Sequence, residues 1–174
     1  ILAGGQATVR QQVVRIDQES KEPLSPVLEA ALLQYIEQVL PQMDVAVISD
    51  YGSQTVSVKL RQRLISLCRE RNVPCMVDSR YDIKEFTGIS LIKQNEAEAA
   101  AALGLESLDQ VGAAEAAKRI VEMLQADAML LTQGGDGMTL YVRGQGAQHI
   151  PVSNRSEVYD VTGAGDTAVV SMML

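Results

Sequence analysis

The chain has 174 residues, 47% hydrophobic and 21% charged, which suits one globular domain and excludes a disordered or low-complexity segment. Its 15 basic and 22 acidic residues give a net charge of −7 with no basic cluster, which argues against nucleic acid or an anionic membrane as partner. No apolar run approaches the ~20 residues of a membrane span and no signal peptide opens the chain, so the expected location is cytoplasmic.

In chain order, Ala7 to Asp17 reads as a strand, with Val9, Val13 and Ile16 separated by Arg and Gln. Ser20 to Pro26 reads as a turn. From Val27 to Leu40, the apolar residues Leu28, Ala31, Leu32, Tyr35, Ile36 and Val39 recur at helical spacing, and Pro41 is expected to end that helix. Val45–Ile48 is apolar on both faces, as in a buried parallel strand. Thr55 to Arg71 reads as a helix with Val58, Leu60, Leu64, Ile65 and Cys68 on its apolar side. Pro74–Val77 is a second buried strand ending at Asp78, and Leu91–Lys93 a third leading to Asn95. Ala97 to Leu103 is a short helix, and Asp109 to Gln125 a longer one with Val111, Ala114, Ala117, Ile120, Val121 and Leu124 inward. Ala128–Leu131 is a fourth buried strand. Turn signals at Asp136–Gly137 and Gly144–Gly146 frame a β-hairpin around Met138 to Val142.

The alternation of strand and helix predicts an α/β fold with a mostly parallel sheet, right-handed crossovers and helices over it. Without Trp and with Phe86 as the one Phe, the core is expected to be aliphatic and Met-rich. Cys68 and Cys75 lack metal-ligand spacing and are expected as buried reduced thiols rather than a disulfide. His149, the one histidine, falls in the hairpin region and is expected at the surface.

The densest chemical signal lies near the end. Glu157–Asp160 reads as extended, Gly163-Ala164-Gly165 as a turn, and the residues after Asp166 as an apolar helix. Glycines there bring bare N–H groups close to a ligand, and the helix directs its positive end at the same place. That combination suits a phosphate. Asp166 beside an anion site fits a general base that accepts a proton from an attacking hydroxyl; an ordinary helix N-cap is the plain alternative. Asn95 and Glu98, one turn apart, suit a hydrated Mg²⁺ on nucleotide phosphates, or a helix cap with an acidic first turn. Thr132, Gly134 and Gly137 suit a nucleotide loop or a tight turn. Asp50, Asp78, Asn95 and Thr132 stand at predicted carboxyl ends of strands, where open α/β sheets bind ligands, and should line one edge with the Gly163–Asp166 turn. Arg80 sits at such an end, facing phosphate or solvent; Arg15 and Asp17 face a sugar phosphate, a dimer interface or solvent.

Three motifs stand in one order: Asn95-Glu-Ala-Glu98, Thr132-Gln-Gly-Gly-Asp-Gly137, and Asp160-Val-Thr-Gly-Ala-Gly-Asp166. Together they resemble the ribokinase-like (PfkB) carbohydrate kinases. Gln11–Asp17 and Ile48-Ser-Asp-Tyr-Gly52 are most similar to the branch that phosphorylates D-glycero-D-manno-heptose 7-phosphate, including the kinase half of the bifunctional heptose kinase/adenylyltransferase. Two departures stand out: Gln94 where relatives often carry Pro, expected to alter loop stiffness, and Ser53 where the heptose branch often carries Lys.

The resemblance implies a ribokinase-like three-layer α/β/α fold with a mostly parallel sheet plus a hairpin. Residues 1–174 would form one incomplete kinase domain, lacking an N-terminal sugar-binding part and the C-terminal end. It implies ATP and Mg²⁺ as cofactors, with Asp166 as base, Gly163, Ala164 and Gly165 as anion hole, and Thr132, Gly134 and Gly137 around the nucleotide. Asn95 and Glu98 would hold the metal, while Asp160 and Thr162 would border the nucleotide site, Asp160 with a monovalent cation. The partner would be a small sugar or sugar phosphate, and a homodimer is compatible with it. The implied reaction is phosphorylation of the anomeric hydroxyl of the heptose 7-phosphate. The alternatives are another PfkB sugar kinase for a fructose, ribose or ketodeoxy sugar, or a non-catalytic nucleotide- or sugar-binding module.

Overall fold

A computed structural model describes residues 2–3, 11–12, 14, 16, 20, 22–52, 54–152 and 163–172. The expected Ala7–Asp17 strand is represented there by β2 (Gln11–Gln12), which pairs antiparallel with β1 (Leu2–Ala3). Val14 and Ile16 are exposed; Arg15 and Asp17 lie outside the described residues.

Capping side chains set the helix limits. α1 (Pro26–Val39) starts where the Ser25 hydroxyl accepts from the Leu28 N–H, with Pro26 in the first turn. It gives way to a 3-10 turn at Leu40–Gln42 that contains Pro41. β3 (Ala46–Asp50) follows. α2 (Val58–Arg71) begins later than the expected Thr55, because Ser57 accepts from the Leu60 N–H at 3.1 Å and so fixes the N-cap. β4 (Cys75–Ser79), β5 (Leu91–Asn95) and α3 (Glu96–Leu103) come next. The expected helix from Asp109 to Gln125 is divided: a 3-10 turn at Leu108–Gln110 precedes α4 (Ala113–Leu124). The break falls at Gly112, whose φ of 79° no helix interior accommodates. β6 (Ala128–Thr132), the hairpin β7 (Met138–Val142) and β8 (Gly146–Ile150), and α5 (Ala164–Ser171) complete the order.

β3 to β8 form one sheet in sequence order; β3 to β6 are parallel, and β7 and β8 are antiparallel additions. Successive parallel strands that always step in one direction, joined by crossovers of one hand, carry their helices on one face. That face holds the core. Ile48, Cys75, Val77, Ile92, Met129 and Leu131 point to it from the strands and meet Leu67 and Cys68 of α2, Ala99 of α3, and Ile120 and Leu124 of α4. Phe86 is fully buried in the same cluster. Strand alternation sends Met76, Asp78, Lys93 and Leu130 to the opposite face. There α5 approaches, since a Cβ on Gly165 would lie 3.0 Å from Lys93 Nζ. Among the described residues the layers are therefore helices, sheet, and the short α5.

Cys68 and Cys75 are free and buried. Their mutual hydrogen bond lowers the Cys68 thiol, and together with burial it raises that of Cys75. His149 is exposed on β8, as expected. No helix among the described residues is long and apolar enough to cross a membrane.

Candidate active site

The carboxyl edge of the sheet gathers the expected residues. Asp50, Asn95 and Thr132 end β3, β5 and β6, and Asp78 is the penultimate residue of β4. Register sets Asp50 opposite Ser79, Asp78 opposite Lys93, and Asn95 opposite Thr132.

Asp50 is buried and shapes the loop after β3. Its Oδ1 accepts from the Gly52 N–H at 2.9 Å, and its Oδ2 accepts from the Ser79 hydroxyl at 3.5 Å. Gly52 has φ of 76°, and a Cβ there would lie 2.8 Å from the Tyr81 ring. The short loop thereby presents Tyr51 to the edge, half of its surface in solvent.

α5 meets that edge from the other side. Its N-cap is Gly163, left-handed at φ 80°, so Ala164, Gly165 and Asp166 occupy the first turn. Asp166 is thus the third helical residue and not the N-cap of the plain reading. The N–H groups of this turn have no upstream helical carbonyl to donate to, which leaves them for a ligand. The Tyr51 hydroxyl donates to Asp166 Oδ1 at 3.4 Å, a long hydrogen bond between exposed groups. The Arg80 guanidinium lies 5.2 Å from the centre of the Tyr51 ring, and its Nε is 3.9 Å from Glu98 Oε1. A line of side chains, Asp166–Tyr51–Arg80–Glu98, therefore crosses the ends of β3, β4 and β5. Asp160 and Thr162 lie outside the described residues.

Asn95 and Glu98 form a reciprocal cap: Asn95 Oδ1 accepts from the Glu98 N–H and Glu98 Oε2 from the Asn95 N–H, each at 2.9 Å. The plain capping role is thus realised. Glu98 Oε1 remains outside the cap, near Arg80. Among the described residues no cluster of three or more His, Cys, Asp or Glu is set up to hold a metal. Glu98 Oε1, unused by the cap and 3.9 Å from Arg80 Nε, is an oxygen donor of the kind a largely hydrated divalent cation accepts. Gln94 is buried inside β5 rather than in a loop, so the expected effect on loop stiffness does not arise; its N–H belongs to a strand where proline would have none to donate.

The Thr132–Gly137 segment is a tight loop. The Thr132 hydroxyl donates to the Gln94 carbonyl at 3.4 Å, and the Gln133 N–H donates to the Gly137 carbonyl at 2.8 Å. Gly137, at φ 95°, packs so closely that a Cβ would sit 2.2 Å from the Ile150 carbonyl oxygen. Gly134, at φ 54°, has open space around it. Gly137 is therefore demanded by packing, while the exposed Gly134 leaves room for a ligand.

Sequence reading passed over Lys93. Its Nζ lies 3.3 and 3.4 Å from the two Asp78 carboxylate oxygens, and both residues are buried. A lysine inside a strand otherwise read as buried was the available signal, because charged groups are rarely buried unless paired.

The chain matches the description "pfkB family carbohydrate kinase" over residues 12–174. It is 34% identical over 165 residues to "Bifunctional protein HldE" of Geobacter metallireducens, covering 94% of this chain and 34% of that protein. The protein of the same name from Trichlorobacter lovleyi is 36% identical over 160 residues, 91% of this chain and 32% of the relative. The chain thus spans about a third of the length of the curated relatives it matches. Among solved structures, phosphofructokinase-2 from Escherichia coli in complex with potassium superposes with a TM-score of 0.66 at 23% identity, covering 81% of this chain and 47% of that one. Arabidopsis thaliana ribokinase complexed with ribose and ATP gives 0.63 at 18% identity, covering 79% and 45%. These last two likenesses bear on the fold.

Proposed function

The chain belongs to the pfkB family of carbohydrate kinases, and from that premise we propose that it carries the phosphoryl-transfer half of an ATP-dependent sugar kinase. The observation that carries the proposal is the placing of Asp166 in the first turn of α5, against the carboxyl edge of a parallel sheet. A helix N-terminus with free N–H groups suits the charge on a transferred phosphoryl group. A carboxylate one residue further on, exposed and held only by a long bond from Tyr51, suits a base for the incoming hydroxyl.

In this reading Asp166 takes the proton of a sugar hydroxyl while Gly163, Ala164 and Gly165 present their N–H groups to the phosphoryl oxygens. Thr132 and Gly134 border the nucleotide, and Gly137 holds their loop closed. Asn95 and Glu98 would hold a hydrated Mg²⁺, which when bound would supply charge neutralisation on the nucleotide phosphates. The substrate we infer is D-glycero-D-manno-heptose 7-phosphate at its anomeric hydroxyl. Support comes from the Ser49-Asp-Tyr-Gly52 segment, whose Tyr51 reaches Asp166. A cytoplasmic location follows from that substrate class.

Asp166→Asn in the intact protein tests the reading. Mg-dependent ADP release over a panel of sugars and sugar phosphates should appear with heptose 7-phosphate and fall by about 10² or more in the variant. Equal rates in both proteins would remove Asp166 from the base role. Tight ATP binding without ADP release from either protein would favour a nucleotide-binding module.

A further inference from the structure

We propose that Lys93 is a phosphoryl-binding cation of this site, held ready by Asp78. The inference rests on the kinase reading and names a residue which that reading does not use.

Three observations converge. First, the Asp78–Lys93 pair is buried on the sheet face that α5 covers, among Met76 and Leu130. A buried ion pair gives up hydration on both groups and is weak evidence of stabilisation, so its presence among apolar neighbours points to another use. Second, the contacts are loose. At 3.3 and 3.4 Å they exceed the roughly 2.7–2.9 Å of a strong charge-assisted hydrogen bond, so the ammonium is near Asp78 without being locked to it. Third, Gly165 lies beside this ammonium. Its φ lies outside the positive range, so backbone conformation does not require glycine there; what marks the position is proximity, because a Cβ would stand 3.0 Å from Nζ and 3.6 Å from Cε of Lys93, close enough that the ammonium would have to shift by a few tenths of an ångström. The Lys93 ammonium thus lies against the first turn of α5.

The chemical role follows. In the transfer, the sugar oxygen forms a bond to the γ-phosphorus and its proton passes to Asp166. The bond from that phosphorus to the β–γ bridging oxygen breaks, and ADP leaves with the electron pair. Negative charge is spread over the transferred oxygens throughout. Lys93 is a compact, flexible cation with three donors, and it can turn one toward those oxygens while Asp78 keeps it charged and oriented. Lys93 undergoes no covalent change.

The test uses the intact protein and the variants Lys93→Met, Lys93→Arg and the double variant Asp78→Asn/Lys93→Met. Measured are kcat for ADP release, KM for ATP, thermal stability, and calorimetric affinity for MgADP with and without aluminium fluoride, a mimic of the transferring phosphoryl group. Lys93→Met should lower kcat by about 10² with KM for ATP changed less than about threefold. Lys93→Arg should recover at least about tenfold of that loss, because charge is what is needed. The double variant, which removes both charges, should regain thermal stability without regaining kcat. Aluminium fluoride should lose its tightening effect on MgADP binding in Lys93→Met. Recovery of kcat together with stability in the double variant would make the pair purely structural and overturn the proposal. So would unchanged kcat in Lys93→Met. If the unsubstituted protein releases no ADP, the kinase reading fails by itself. The calorimetric comparison still judges Lys93, with equal aluminium fluoride tightening in both proteins counting against it.

Discussion

Helices α1 and α4 are close in length, at 14 and 12 residues, and both carry apolar residues at helical spacing. Their degrees of burial differ. α4 buries Ala116, Ala117, Ile120, Val121 and Leu124, whereas α1 buries none of its residues and leaves Val27, Leu28 and Tyr35 exposed. α4 is received by α3 and the strands around β6, and its alanines allow close approach. α1 reaches the core only through the half-buried Ile36 and is tied to α2 by polar groups: Glu29 meets Ser57 and Lys59, and Glu37 meets Arg63. Apolar periodicity states which stripe a helix offers; only a neighbouring surface turns the offer into burial. Exposed ion pairs of the α1 kind are worth little, about 0–1 kcal/mol each, against the several kilocalories of a buried stripe.

The same substitution made in both helices is the sharpest test of this contrast. Leu124→Ala, at 1% exposure, should cost about 2–5 kcal/mol in urea denaturation, whereas Leu28→Ala, at 59%, should stay within about 0.5 kcal/mol. Comparable losses would show that α1 is buried in solution and erase the contrast.

A smaller effect belongs to the start of α3. Asn95→Ala removes one side of the reciprocal cap and should cost about 1 kcal/mol, while Asn95→Asp, which keeps an acceptor, should cost less. If Asn95→Asp also keeps Mg-dependent ADP release while Asn95→Ala loses it, capping geometry and metal holding share one residue.

The smallest effect is read against pH. The Ser57 hydrogen bond, and then Lys59, hold the Glu29 carboxyl below its ordinary value of 4.5. A carboxyl depressed by folding contributes stability at higher pH and loses it as pH falls through the folded value. Glu29→Gln should therefore melt slightly lower than the unsubstituted protein near neutrality, with the gap closing below about pH 4.5. A gap that widens with acid would reverse the assigned sign.

Much of this was legible in the residues because it rests on local rules. The runs Pro74–Val77, Leu91–Lys93 and Ala128–Leu131 each lie at a buried parallel strand, and the Gly144–Gly146 turn joins a hairpin. Val45–Ile48 also falls at a parallel strand, but β3 is an edge strand among the described residues and Val47 is 42% exposed, so the expected burial of both faces is not met there. Asp50, Asp78, Asn95 and Thr132 share one edge because parallel strands all end on the same side. Helix limits were less legible. Ser57 rather than Thr55 caps α2, and Gly112 divides the segment before α4, since a cap depends on which of several competent residues meets the free N–H groups.

The sequence by itself determined the order of strands and helices, the family motifs and the carboxyl edge where they meet, because period, turn chemistry and strand direction are properties of the chain. Tertiary structure alone decided the long-range pairs. Tyr51 reaches Asp166 across 115 positions, and Lys93 lies between Asp78 and Gly165. It also decided that α4 is buried and α1 is not. Such contacts depend on which faces the crossovers bring together, and on how a side chain's charge or bulk fits against a neighbour distant in sequence, neither of which a local pattern contains.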